Sequence, residues 1–158
     1  MRTIIYPGTF DPIHNGHINI GERAAKLFDK LIFVVADNEQ KAPMFTVKER
    51  VIMIKRATKE INNIYVTSTS KLIVDFAKSE KAVALIRGLR HVSDLEFEFQ
   101  MAMMNVHLNP KIDTLLMMPD EKYIHINSTV IKNVSRLHGD ISIYVPKSVE
   151  ECLNNKRK

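Results

Sequence analysis

Short apolar runs rich in β-branched residues alternate along this chain with longer amphipathic segments. Most of these runs are almost continuously apolar, which is typical of strands covered on both faces. They predict five strands, at Thr3–Tyr6, Leu31–Ala36, Ile64–Thr67, Ala82–Ile86 and Ile112–Met117. Strands that alternate with helices favour a parallel sheet between helical layers.

The expected architecture is therefore an α/β fold, a single Rossmann-like domain with a five-stranded parallel sheet flanked by helices. Two helix starts have the capping-box spacing, in which residues three apart satisfy each other's backbone donors. These starts pair Thr46 with Glu49 and Ser93 with Glu96. Ligands of such sheets bind beyond the carboxyl ends of the strands, so the residues that follow each strand are the candidates for chemistry.

The helical pattern from about Ser93 to Leu108 is apolar over more than the usual single face. One stripe contains Leu95, Phe99, Ala102 and Val106, and a neighbouring stripe contains Phe97, Met101, Met104 and Leu108. A central core helix explains this pattern. The alternative is that one stripe packs on the sheet and the other on a second subunit, a contact that methionine-rich surfaces suit. We expect an oligomer.

Length and charge limit the partners. The 158 residues are enough for one domain, and 45% apolar with 26% charged residues is an ordinary soluble composition. The net charge of +5 invites a nucleic-acid-binding reading. Residues 156–158 form a basic tail, however, and removing its three charges leaves +2. We therefore expect one domain over residues 1–158, with no nucleic-acid partner.

Cysteine content and hydropathy indicate the cellular compartment of the protein. Cys152 is the only cysteine, which excludes an intramolecular disulfide and a cysteine-based zinc cage. No apolar run approaches the roughly 18 residues of a membrane span. The opening segment is broken by Pro7 too early for a signal peptide. A cytoplasmic protein without a membrane partner is expected.

The segment after the first strand has the features of a phosphate site without either standard phosphate loop. Gly8 and Gly16 permit a close backbone approach, and Thr9 adds a hydroxyl. The helix that follows directs N–H groups and a positive dipole at an anion. His14 and His17 lie within its first turn, but no third ligand accompanies them, which disfavours a zinc site.

The run from Gly8 to Pro12, followed by His14-Asn15-Gly16-His17, resembles the signature of the nucleotidylyltransferase superfamily. Three further segments narrow the resemblance: Lys41–Thr46, Arg87–Arg90 and Tyr123–Thr129. Together they are similar to the bacterial phosphopantetheine adenylyltransferases, in order and spacing, from about Tyr6 to Pro146. The joint placement of these residues at successive strand ends outweighs the ordinary reading of each as a loop, cap or surface residue.

The resemblance implies adenylyl transfer from ATP to 4′-phosphopantetheine, giving 3′-dephospho-coenzyme A and pyrophosphate, without a covalent enzyme intermediate. It makes His17 the catalytic residue, which stabilises charge at the α-phosphate of ATP. It assigns the phosphopantetheine side to Thr9, Lys41, Ile73 and Arg87. The ATP side comprises Thr9, Phe10, His17, Gly88, Leu89, Arg90, Glu98, Tyr123, Ile124, His125, Ile126, Asn127, Ser128 and Thr129.

Three residues depart from the usual family pattern. Asn127 replaces a serine, but asparagine is an equally good N-cap, so the helix start should survive. His125 replaces a residue that is commonly Phe, and His14 stands where close relatives often have Thr. The resemblance also implies Mg²⁺ accompanying ATP, with no dedicated protein ligands, and a homo-oligomer, typically a hexamer. Feedback binding of coenzyme A is left open.

Two alternatives remain at this point. The chain could be another nucleotidylyltransferase, using CTP or a nicotinate mononucleotide acceptor; the Arg87–Arg90 segment and the Lys41 loop argue against it. From a different class, it could be a non-catalytic nucleic-acid-binding module. We find no RNA-binding aromatic motif, zinc finger or basic stripe beyond the tail to favour that reading.

Overall fold

The computed structural model describes residues 1–37 and 42–157. Helices and strands alternate along these residues, and every predicted strand is confirmed with its ends displaced by at most two residues. The elements are β1 (Thr3–Gly8), α1 (Asn15–Leu27), β2 (Lys30–Ala36), α2 (Val47–Ala57), β3 (Ile64–Thr69), α3 (Ile73–Ser79), β4 (Ala82–Gly88), α4 (Val92–Leu108), β5 (Asp113–Met117), a 3₁₀ turn (Glu121–Tyr123), α5 (Ser128–Arg136) and α6 (Lys147–Lys156).

Strand order determines where a ligand can enter. Within the described residues, five parallel strands form one sheet in the order β3-β2-β1-β4-β5, which confirms the Rossmann-like prediction. The chain runs outward from β1 to β3 and then returns to the other side of β1 to form β4. This reversal leaves a crevice at the carboxyl ends of β1 and β4, the usual ligand position in open α/β sheets.

The two faces of the sheet are buried by alternating side chains of the same strands. Ile4 and Tyr6 face one apolar cluster, whereas Ile5 faces the other. The larger cluster also takes in residues of α1, α2, α5 and α6, and the smaller one contains residues of α3. Burial on both faces explains why the central strands β1, β2 and β4 are almost continuously apolar.

Of the two predicted capping boxes, one is confirmed and one is wrong. Thr46 Oγ1 accepts the Glu49 N–H at 3.2 Å, and Glu49 Oε2 accepts the Thr46 N–H at 2.7 Å. α4, however, begins at Val92 rather than at a box of Ser93 and Glu96. Asp94 Oδ2 instead accepts the N–H groups of Arg90 and His91, each at 3.3 Å. One carboxylate thereby satisfies two free backbone donors, and the N-cap is His91, two residues before Ser93.

The interpretation of α4 as a central core helix is wrong. Its buried residues are Glu98 and Asn105, whereas its apolar side chains are largely exposed, with Phe99 at 59% and Met104 at 55%. Neighbouring strand β5 is likewise open at Leu115 and Leu116. An apolar surface of this kind marks an interaction face rather than a core.

The basic C-terminus packs on the domain over residues 156 and 157. Lys156 is the last residue of α6, and its Nζ lies 3.1 Å from Glu49 Oε1. Arg157 Nε donates to Ser135 Oγ at 3.1 Å. Two of the three charges in the expected tail therefore have partners within the chain.

Candidate active site

A cleft of about 1040 Å³ opens at the carboxyl ends of β1 and β4. It collects most of the residues that the sequence singled out, namely Thr9, Phe10, His17, Ile73, Arg87, Gly88, Arg90, Glu98, Tyr123, Asn127, Ser128 and Thr129. Four others do not line it: Leu89, Ile124, His125 and Ile126. Lys41 lies outside the described residues.

The loop after β1 is shaped by Phe10, which has a left-handed backbone with φ of 50°. This conformation turns the phenyl ring into the core, where it meets Tyr6 edge-on at 5.3 Å and His17 at 5.0 Å. A Cβ on Gly8 would lie 2.8 Å from the Phe10 ring, so the loop requires glycine there. Phe10 thus supports the cleft from below rather than presenting its ring to a ligand.

His14 and His17 are stacked at the start of α1, with ring centroids 3.6 Å apart. His14 Nδ1 accepts the N–H groups of Gly16 and His17, and His17 Nδ1 accepts the His14 N–H at 3.3 Å. Because each Nδ1 is an acceptor, each neutral ring carries its proton on Nε2. Neither Nε2 bonds to a residue that the structure describes, so both remain donors for a ligand in the cleft.

The electrostatics of the cleft keep both imidazoles neutral. Burial, with a further contribution from the charge of Arg90, lowers the pKa of His14 to about 3. Burial first, and then His14, Arg90 and Arg87, hold the pKa of His17 well below its ordinary value. Burial also raises the pKa of the Tyr6 phenol beneath them. The two histidines therefore act as neutral hydrogen-bond donors rather than as cations.

The first amides of α1 are already occupied, contrary to the expectation that they are free for an anion. The Asn15 N–H bonds to Tyr144 O at 2.9 Å, and the next two amides bond to His14 Nδ1. α5 differs from α1 in this respect. Asn127, the expected N-cap, accepts the Val130 N–H at 2.8 Å. The amides of Ser128 and Thr129 have no acceptor among the described residues, which leaves the N-terminus of α5 open to an anion.

Arg87 and Glu98 form a two-point ion pair inside the cleft. Arg87 Nε donates to Glu98 Oε2 at 2.8 Å and Nη2 donates to Oε1 at 2.9 Å, while Nη1 donates to Pro7 O at 3.0 Å. Burial lowers the pKa of Arg87, but the hydrogen bonds and charge of Glu98 outweigh it and raise the pKa. The guanidinium is thus charged and fixed in orientation.

Arg90 joins α4 to the segment that precedes α5. Its Nη1 donates to Ile126 O at 3.1 Å, and its Nε lies 3.5 Å from Asp94 Oδ2. The Ile126 side chain is buried in the core, so this segment is held by its side chain on one side and by the bond from Arg90 to its carbonyl on the other. The His125 ring meets Tyr144 edge-on at 5.7 Å, so it packs away from the cleft.

The structure adds Asp11 and Lys132, which sequence reasoning missed. Lys132 Nζ lies 2.7 Å from Asp11 Oδ2, and Asp11, only 5% exposed, also accepts the N–H groups of Met44 and Phe45 at 2.9 Å each. Both residues line the cleft. Lys132 follows Ser128 by one helical turn and shares its face, which is the signal that could have revealed it.

Sequence reasoning also missed Arg50, whose buried guanidinium connects the loop after β1 with the loop before α2. Arg50, only 1% exposed, donates from Nη1 to Thr9 O at 2.8 Å and from Nε to Phe45 O at 3.0 Å. It therefore fixes the Thr9 loop from beneath. Ile73, Phe97 and Met101 also line the cleft and give it an apolar part.

The cleft can bind a polyanion beside an apolar group. Its donors are the Arg87 and Arg90 guanidiniums, Lys132, two neutral imidazoles and the amides at α5. Among residues 1–37 and 42–157, no three His, Cys, Asp or Glu side chains are grouped as metal ligands. The cleft is therefore equipped to neutralise and orient phosphates.

No helix in the same ranges is long and apolar enough to cross a membrane.

Comparisons with known proteins agree with this chemistry. The cytidylyltransferase-like family model matches residues 5–134, most of the chain. A curated phosphopantetheine adenylyltransferase of Vesicomyosocius okutanii subsp. Calyptogena okutanii is 46% identical over 155 residues, covering 98% of each chain. One of Opitutus terrae is 46% identical over 153 residues, covering 97% of this chain and 96% of the relative.

A solved structure supports the fold. A Vibrio parahaemolyticus protein described as a nicotinate-nucleotide adenylyltransferase superposes with a TM-score of 0.75 over 100% of this chain and 97% of the other. Its sequence identity of 19% limits the likeness to architecture. The two sequence relatives, by contrast, are 46% identical over nearly the full length of both chains.

Proposed function

This chain belongs to the cytidylyltransferase-like family and, within it, to the phosphopantetheine adenylyltransferases, and we propose that the cleft between β1 and β4 is its active site. The enzyme transfers the adenylyl group of ATP to 4′-phosphopantetheine, producing 3′-dephospho-coenzyme A and pyrophosphate in coenzyme A biosynthesis. The observation that carries the site assignment is the convergence of His17, Arg87 and the open α5 N-terminus on one cleft.

The reaction is an in-line displacement. An oxygen of the phosphopantetheine phosphate bonds to the α-phosphorus of ATP, and the bond from that phosphorus to the oxygen bridging it to the β-phosphorus breaks. The attacking group is already an anion, so no protein nucleophile is needed. The difficulty is repulsion, because two unit charges 4 Å apart repel by about 4 kcal/mol at an effective dielectric of 20. Fixed cations and dipoles offset this repulsion, most strongly at the transition state.

We assign His17 to the α-phosphate. Its neutral ring donates from Nε2, since Nδ1 is held by the His14 amide. Such a donor strengthens as charge builds up on the phosphoryl oxygens without requiring a proton transfer. Thr9, whose carbonyl is held by Arg50, contributes a hydroxyl to the reacting phosphates.

The acceptor and nucleotide occupy different walls in this proposal. Arg87 binds the phosphate of phosphopantetheine, Lys41 is assigned to the same phosphate by family resemblance, and Ile73 contacts the pantetheine arm. ATP lies against the residues of its two predicted segments that line the cleft, namely Gly88, Arg90, Tyr123 and Asn127–Thr129. The amides of Ser128 and Thr129 receive its β- and γ-phosphates.

Mg²⁺ is proposed to enter with ATP, held by the triphosphate. Among the residues that the structure describes, two carboxylates line the cleft, and they are engaged: Asp11 by Lys132, and Glu98 by Arg87. They fit a role in holding cations of the protein better than a role as metal ligands. When bound, Mg²⁺ neutralises charge on the transferring and leaving phosphates.

The exposed apolar residues of α4 and β5 support a homo-oligomer, for which we propose the hexamer typical of the family. Coenzyme A contains both the pantetheine and the adenylate halves of the product, so feedback binding in the same cleft is part of the proposal. Use of ATP and an unpaired Cys152 thiol fit a cytoplasmic enzyme.

A pyrophosphate-release assay tests the function. The purified enzyme is given ATP or CTP with either phosphopantetheine or nicotinate mononucleotide, and the adenylylated product is identified by mass. We expect turnover with ATP and phosphopantetheine and with no other pairing. Turnover that requires CTP or nicotinate mononucleotide would contradict the proposal. His17→Ala, prepared in parallel, controls for contaminating activity.

A further inference from the structure

Three N–H groups of the Arg87 side chain are fixed by acceptors from two other elements. Two of them meet the two oxygens of Glu98 on α4, and the third meets Pro7 O on β1. A guanidinium carries five N–H groups, so two remain, one on each terminal nitrogen. The side chain is therefore held at three points and still has a pair of donors for an oxyanion.

The two side chains of this pair differ in how far they are exposed. The Glu98 side chain is 9% exposed, whereas the Arg87 side chain is 29% exposed. The guanidinium is thus the more accessible partner, although both side chains line the cleft. Both Glu98 oxygens accept from Arg87, so the carboxylate is bound through its two oxygens to the residue assigned to the acceptor phosphate.

We propose that Glu98 is a positioning residue for the acceptor substrate, which holds the Arg87 guanidinium ready for the phosphate of phosphopantetheine. This inference rests on the proposed function, and it assigns Glu98 to the acceptor side, whereas family resemblance places it beside ATP. Pre-orienting the fork avoids the entropic cost of ordering a long side chain when the phosphate binds.

Two effects of Glu98 oppose each other. The carboxylate orients Arg87, which strengthens phosphate binding, but its negative charge also repels the phosphate. Glu98→Gln removes the charge and keeps one acceptor oxygen, whereas Glu98→Ala removes both. If orientation dominates, Glu98→Ala is the weaker binder of the acceptor; if repulsion dominates, both variants bind it more tightly than the wild type does.

Steady-state kinetics with each substrate varied in turn provide the test. We expect Glu98→Ala to raise the KM for phosphopantetheine about tenfold or more, with Glu98→Gln between it and the wild type, and the KM for ATP within about twofold of the wild type. Adding Glu98→Ala to Arg87→Ala should cause no further loss, because the two residues act as a unit. Glu96→Ala, an exposed acid on the same helix, is the charge-matched control.

Other results would overturn the inference. A raised KM for ATP, multiplicative losses in the double variant, or an unchanged or lowered KM for phosphopantetheine each contradict it. Calorimetric titration with phosphopantetheine alone measures the affinity for the acceptor without the reaction. A wild type that binds phosphopantetheine but does not react would therefore contradict the proposed reaction and leave the role of Glu98 in binding open to the same test. Thermal unfolding shows which variants are folded. If Glu98→Ala is not folded, the isosteric Glu98→Gln still provides the test.

Discussion

The imidazole of His14 lies against that of His17, with ring centroids 3.6 Å apart and 21° between the planes. The contact is reinforced in both directions, because each Nδ1 accepts a backbone N–H from the other residue. Two cationic rings could not stack at this distance without strong repulsion. The pair therefore presents neutral donors at the start of α1, and its two members have different consequences when replaced.

His17→Ala should reduce kcat by two to three orders of magnitude, because it removes the donor assigned to the α-phosphate, about 3–4 kcal/mol of transition-state stabilisation. His14→Thr should retain substantial activity, since a threonine hydroxyl can accept the same amides as His14 Nδ1. Single-turnover rates of the two purified variants compare them directly. Equal collapse of both would show that the His14 ring takes part in the chemistry.

The neutral histidines also predict acid sensitivity. Burial lowers the pKa of His14 to about 3, whereas an unfolded histidine titrates near 6.5. A lowered folded pKa means that the unfolded chain binds the proton first, so the stability is intact above about pH 6.5 and is lost as pH falls towards about 3. By about pH 5 this group alone has removed about 2 kcal/mol of the free energy of unfolding.

Urea unfolding of the wild type and of His14→Thr over that pH range tests whether the free energy of unfolding falls with pH as predicted. The wild type should lose more of its free energy of unfolding on acidification than the variant does. His17, whose pKa is also lowered by burial, contributes in the same direction and remains in both proteins. Parallel pH profiles would mean that His14 titrates alike in the folded and unfolded chains.

The features that the sequence predicts well are local ones. The central strands β1, β2 and β4 follow from apolar runs that are largely buried, and the Thr46–Glu49 box depends on two residues three apart. The start of α4 could not be decided in this way, because Ser93–Glu96 and His91–Asp94 have the same spacing. The choice between them rests on which amides Asp94 can reach after β4 has ended.

Pairings between distant segments were beyond the sequence pattern. Arg87 and Glu98 were both singled out, but assigning them to each other requires knowing how α4 lies against β4. Lys132 and Asp11 are 121 residues apart, and only the packing of α5 against the β1–α1 loop brings them together. Sequence reasoning identifies which residue types a polyanion site needs, whereas the fold determines which of them neutralise one another.

The Asp11–Lys132 pair should be important for stability. Asp11→Ala leaves the Lys132 ammonium and the amides of Met44 and Phe45 without their acceptor, and breaking a buried pair typically costs about 3–5 kcal/mol. Lys132→Met should cost less, because Asp11 keeps both amides. Glu60→Ala, which breaks an exposed pair with Lys59, is the control and should change stability by no more than about 1 kcal/mol. Denaturant midpoints measure all three, and equal effects of Asp11→Ala and Glu60→Ala would contradict the prediction.

Charge placed on the open face of α4 should disrupt the proposed assembly while leaving the fold intact. Phe99 is 59% exposed and does not line the cleft, so Phe99→Lys buries a charge only if another subunit covers this face. An unpaired charge at an apolar interface is costly, and we expect sedimentation velocity to show smaller species than the wild type at the same concentration. Leu137→Lys, at an apolar position after α5 that is 83% exposed, is the control and should sediment as the wild type does. An unchanged sedimentation coefficient for Phe99→Lys would instead place the subunit contact elsewhere than α4, because a covered Phe99 could not accept a lysine without loss of affinity.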